Sequence, residues 1–125
     1  MLLNNRSFET TSGIQRRDYI HVKDAAKAIA LLTLSSIEGP VNIASGRSVP
    51  IKDLLHQISE LCDGQGRVIL GARAINPNDP MDIEADVTRL YQEVGFQPTH
   101  TLEAGLKETV EWWKDAIKGK AAKSL

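Results

Sequence analysis

Cysteine is all but absent. The lone Cys62 cannot close an internal disulfide and offers no paired thiols for zinc, so a reducing, cytoplasmic setting is expected. Charge of either sign in excess is also missing. Fifteen Lys and Arg face 16 Asp and Glu, for a formal net charge of -1, and that balance gives no broad attraction to nucleic acid or anionic lipid. No long apolar run exists either. The most apolar stretch, residues 25–34, is broken by Lys27 and Thr33 and reaches roughly half a membrane span. Residues 1–8 carry one positive charge and, after the Met, three apolar residues, which is not the pattern of a signal peptide. Internal repeats and low-complexity linkers are lacking as well.

What is present suits a packed domain. The chain has 125 residues, 42% hydrophobic and 25% charged, and a domain of that length buries about two-thirds of its unfolded surface. Thr11, Ser12 and Gly13 form a turn signal, and residues 17–22 alternate as a strand would. In a strand Arg17, Tyr19 and His21 share one face, and Asp18, Ile20 and Val22 the other. An Ala- and Leu-rich helix is expected over about 23–35, with Asp24 at the positive end of its dipole. Residues 41–45 read as a short buried strand. A second helix is expected from about Pro50, with Ile51, Leu54, Leu55, Ile58, Leu61 and Cys62 on one face, ended by Asp63-Gly64. Residues 67–70 read as a strand and 72–82 as a surface loop. Asp86 is placed to cap a short helix bearing Val87, Leu90, Tyr91 and Val94. The last helix starts near Thr101 and presents Leu102, Leu106, Val110, Trp113 and Ile117. Residues 118–125 read as a frayed basic tail. The expected fold is α/β: one domain over residues 1–125, a small sheet of short strands packed with about four helices.

Gly13-Ile14-Gln15-Arg16-Arg17-Asp18-Tyr19-Ile20-His21-Val22, followed by Asp24-Ala25-Ala26, resembles the G-x-Q-x-R-D-Y-I-H-V-x-D segment of extended short-chain dehydrogenases. These include the NAD(P)-dependent nucleotide-sugar epimerases and 4,6-dehydratases. Three further stretches agree in order: Pro40 to Gly46, Asp82 to Asp86, and Leu90 through Pro98 with Leu102 to Leu106, closed by Trp112-Trp113. The resemblance runs along nearly the whole chain and is to the C-terminal, substrate-binding part of such enzymes.

Two look-alike motifs are set aside. The family's cofactor half carries a glycine-rich turn between a strand and a helix. The nearest match, Gly64-Gln65-Gly66 with Gly71, falls after an expected helix and before an expected strand, and reads as a helix stop. Tyr19 and Lys23 spell the family's catalytic Tyr-x-x-x-Lys, but that pair works on one helix, where the two side chains lie on adjacent turns. An expected strand at Tyr19 spreads the same spacing over about 13 Å. No cofactor site and no catalytic residue is therefore expected in the residues given, and NAD or NADP belongs to the full-length family.

By resemblance, Arg17 is the arginine that meets the diphosphate of a nucleotide-sugar, and its planar, permanently charged fork suits phosphate oxygens. The alternative for Arg17 is a salt bridge. Tyr19 shares its face and can stack, donate a hydrogen bond or simply pack. The family also places an arginine and an aspartate in an R-x-G-D-like loop. This sequence reads Asn76-Pro77-Asn78-Asp79, so Asp79 matches and Asn76 departs, since an amide cannot supply a charge. Arg73 is a candidate substitute. Asp18 reads as structural, His21 as a packed histidine with no metal-ligand spacing around it, Cys62 as inert core, and Trp113 as core or subunit packing. The expected partner is a nucleotide-sugar, bound without turnover. No nucleic acid and no membrane is expected, and a homo-oligomer is, because uncovered apolar faces associate. Two rival readings are an interaction or oligomerisation module that kept the fold and lost the ligand, and a truncated piece of an enzyme with no function of its own.

Overall fold

No strand among the described residues is longer than three residues, so backbone ladders contribute little and turns and side-chain hydrogen bonds carry much of the architecture. The structure is a computed structural model and describes residues 2–4 and 6–122. Its elements are a 3-10 turn (Leu2–Asn4), β1 (Phe8–Glu9), β2 (Arg16–Asp18), α1 (Val22–Thr33), β3 (Ser48–Pro50), α2 (Ile51–Leu61), β4 (Val68–Ile69), β5 (Asp82–Ile83), α3 (Thr88–Gln92) and α4 (Leu102–Ala122). The class is α/β, with small sheets and four α-helices among the described residues. Two compact units make it up. The first comprises Met1–Gly13, Lys52–Asp79 and Glu103–Leu125, and the second Ile14–Ile51 and Pro80–Leu102.

In the first unit β1 pairs parallel with β4, Phe8 opposite Val68 and Glu9 opposite Ile69. Helix α2 buries Leu54 on the apolar face its periodicity required, and Cys62, in the turn just past its end, is buried as well. Its first turn is satisfied by backbone: the Lys52 N–H donates to the Gly13 carbonyl at 2.8 Å. Gly13 sits at φ +67°, and a Cβ there would lie 2.8 Å from the Lys52 nitrogen, so both backbone sign and space demand glycine. At the other end Asp63 turns the chain at φ +51°, the Ser59 hydroxyl donates to the Gly64 carbonyl, and Lys114 of α4 donates to the Leu61 carbonyl at 2.7 Å. A cation at a helix C-terminus is where the dipole favours it. Leu2, Leu3, Phe8, Leu55, Ile58, Leu106, Val110, Trp113 and Ile117 leave an open apolar cavity of about 560 Å³ between the N-terminal turn, α2 and α4.

The second unit is organised on β2, which lies between β3 (antiparallel, Arg17 opposite Val49) and β5 (parallel, Arg17 opposite Ile83). Ala28 of α1, Leu90 of α3 and Phe96 are fully buried and form its core, with Ile20, Val41, Ile43, Val87 and Tyr91 packed around them. Tyr91 and Phe96 stack with ring centroids 6.0 Å apart.

Several expectations need correction. The strand read over 17–22 covers only Arg16–Asp18, because α1 already begins at Val22; Val22 is accordingly 72% exposed rather than inward. Residues 41–45 form no strand. Val41 and Ile43 are apolar because they pack on the core, and the strand that pairs with β2 comes after the Gly46 turn. Pro50 ends β3 instead of opening α2, and β5 emerges from the stretch read as loop. Helix α4 continues to Ala122, into the stretch read as tail; residues 123–125 of that reading lie outside the described residues. Trp113 lines the cavity but is 48% exposed.

Two stability predictions follow from this geometry. Phe96→Ala is expected to cost about 3–5 kcal/mol in urea unfolding, the range for emptying a fully buried aromatic site. Gly13→Ala is expected to cost at least about 1–2 kcal/mol by the same measurement, from the left-handed backbone alone.

Candidate functional site

Asp18, at the end of β2, gathers its surroundings by accepting hydrogen bonds. Its carboxylate receives the backbone N–H groups of Ser45 and Gly46, each at 2.9 Å, the Ser45 hydroxyl, and the Ala85 N–H at 3.4 Å. The turn at 45–46 and the segment after β5 are thereby fastened to the central strand, so the structural role expected for Asp18 is the one the geometry describes. Gly46 fits under this clamp only without a side chain: at φ +75°, a Cβ would stand 2.4 Å from a Val87 methyl. The Tyr91 hydroxyl completes the corner by donating to the Ser45 carbonyl at 2.8 Å. Burial raises its pKa, and the nearby negative charges of Asp18 and Asp24 act in the same direction.

Arg16 is locked into the sheet, donating to the Ser48 hydroxyl and carbonyl and pairing with Asp82 at 3.4 Å. Arg17 is half-buried and points its Nη1 at two carbonyls, its neighbour Arg16 at 2.7 Å and Pro80 at 2.8 Å. Those bonds fix one edge of the guanidinium. Tyr19 is 36% exposed, so it lies at the surface rather than in the core. Burial of its hydroxyl raises its pKa, and the charge of Arg17 pulls the other way, which marks the two as electrostatic neighbours. The structure thus brings Arg17 and Tyr19 together in the second unit.

Arg73, Asn76 and Asp79 lie together on one loop of the first unit. The exposed Arg73 is tied by its backbone N–H to the Thr10 carbonyl at 3.1 Å. Asn76 shapes a local turn: its side-chain oxygen accepts from the Asn78 N–H at 3.0 Å and its carbonyl from the Asp79 N–H at 2.9 Å. This is the usual work of asparagine in a turn, and it occupies the side-chain acceptor where the resembled loop carries a charged group.

Asp24 is far more buried than its place in the first turn of α1 suggested. Only 1% exposed, it accepts from the Thr99 N–H and hydroxyl, the His100 N–H at 2.9 Å, and the His100 ring at 3.2 Å. Desolvation alone would favour the neutral acid, but the hydrogen bonds from Thr99 and His100 outweigh it and hold the carboxyl well below the usual range. His21 lies at the start of α1 with its ring centroid 4.1 Å from that of His100, and its buried Nδ1 has no hydrogen-bond partner. No sequence spacing links these groups; only the fold brings 99–100 back to α1.

The two look-alike motifs are in the wrong structural context. Gly64 and Gly66 follow α2 and precede β4, whereas a dinucleotide turn runs from strand into helix, so this pair does not fit a pyrophosphate. Tyr19 precedes α1 while Lys23 lies within it, so they are not two turns of one helix. No helix of the described residues is long and apolar enough to cross a membrane.

Comparison with known proteins now places the chain. No protein-family profile matches it. It is 34% identical over 104 residues to a dTDP-glucose 4,6-dehydratase of Streptomyces niveus, covering 82% of this chain and 31% of that one. Among solved structures, a UDP-N-acetylglucosamine 4-epimerase from Methanobrevibacter ruminantium, in complex with UDP-N-acetylmuramic acid, aligns with a TM-score of 0.81 at 32% identity, over 92% of this chain and 37% of that one. A UDP-glucose 4-epimerase from Thermotoga maritima has the same fold at a TM-score of 0.84 and 24% identity, over 93% of this chain and 37% of that one. The chain belongs to the extended short-chain dehydrogenase family that holds these epimerases and dehydratases, and corresponds to their C-terminal part. It spans about a third of the length of the relatives it matches.

Asp24 supplies a pH prediction. A carboxyl whose folded pKa is depressed stabilises the fold above its unfolded pKa, near 3.9, and that stabilisation is lost as pH falls below it. Asp24→Asn is expected to cost about 2–3 kcal/mol at neutral pH and to flatten the fall in stability below about pH 4. Urea unfolding at a series of pH values checks both.

Proposed function

We propose that this chain is the nucleotide-sugar-binding portion of an NAD-dependent epimerase or dehydratase, that Arg17 meets the diphosphate, and that the residues given do not turn the sugar over by themselves. The observation that carries this is the seating of Arg17. The residue is half-buried and its Nη1 is held by the Arg16 and Pro80 carbonyls, so less side-chain freedom remains to be lost when a phosphate binds. Tyr19 beside it offers a ring face and a hydroxyl to the same ligand. By resemblance alone, Arg73, Asn76 and Asp79 on their loop of the first unit are the further candidate contacts, with Arg73 the candidate for the charge that Asn76 lacks. The likeness to a 4-epimerase solved with a UDP-sugar supports the ligand class. The lack of turnover rests on the contexts of the glycine pair and of Tyr19 and Lys23, neither of which offers a place for hydride transfer. A buried Cys62, whose thiol burial pushes upward in pKa with partial offset from Lys114, suits a reducing cytoplasmic setting.

A second reading, an interaction module that has lost its ligand, is favoured by Asn76 and by the exposure of large apolar side chains: Leu34 at 86%, Val22 at 72% and Trp112 at 62%. Such side chains, where they cluster, drive association, and a homo-oligomer is part of our proposal under either reading.

Titration calorimetry with UDP-, dTDP- and GDP-sugars tests the first reading. At least one is expected to bind, and Arg17→Ala is expected to weaken it about tenfold to a hundredfold, the worth of a charge-assisted pair. Silence across the panel overturns it in favour of the second, and unchanged affinity in Arg17→Ala overturns the role given to Arg17. Sedimentation equilibrium at micromolar concentration is expected to give a multiple of the 13.7 kDa chain mass; a strict monomer rejects the oligomer.

A further inference from the structure

We draw no further inference here: the strongest candidate, the open apolar cavity bounded by the N-terminal turn, α2 and α4 of the first unit, carries nothing because nothing in the structure shows what covers it.

Discussion

The second unit depends on one carboxylate. Asp18 accepts three backbone N–H groups and a hydroxyl from two segments that no regular ladder holds. Strands of two and three residues leave many backbone donors without sheet partners, and a buried donor left unpaired is costly. A charged acceptor satisfies several at once and more strongly than a neutral one. The 45–46 turn and the segment after β5 are thus brought to β2, the strand that carries Arg17 and leads directly to Tyr19. A candidate ligand surface of this kind requires its strand to be rigid, and here side-chain chemistry supplies the rigidity that sheet length does not.

Asp24 solves the same problem at α1. Burying a carboxylate is unfavourable unless its lone pairs are filled, and Thr99 and His100 fill them. The residues ahead of α4 are thereby anchored to the first turn of α1, around a core of Ala28, Leu90 and Phe96. Two acids in the second unit therefore act as structural fasteners. An acid in this chain is not by that fact a candidate for proton transfer.

Recognition of an activated sugar diphosphate calls for fixed positive charge, and the two candidate groups differ in how they are prepared. Arg17 is seated by carbonyls before any ligand arrives. Arg73 is exposed on a loop whose asparagine already spends its acceptor on the turn. The first arrangement is preorganised, whereas an exposed side chain like that of Arg73 would lose more conformational entropy in holding a ligand.

Much was legible from sequence alone. Ala- and Leu-rich composition located α1, and helical periodicity located α2 and the start of α4, because one apolar face per helix must be buried whatever its neighbours are. The ordered motifs around Arg17 and Asp18 carried the family. Local chemistry also located the turn at Gly13, whose positive φ glycine adopts without strain. Strands were another matter. Residues 41–45 resembled a strand yet make none, while Asp82 and Ile83 pair with β2; a ladder two or three residues long has no periodicity to read, and its partner is chosen by the fold. The burial of Asp24, the approach of His100 to His21 and the seating of Arg17 on Pro80 were likewise decided by tertiary structure, since each joins residues far apart in the chain, and such contacts leave no trace in local sequence spacing.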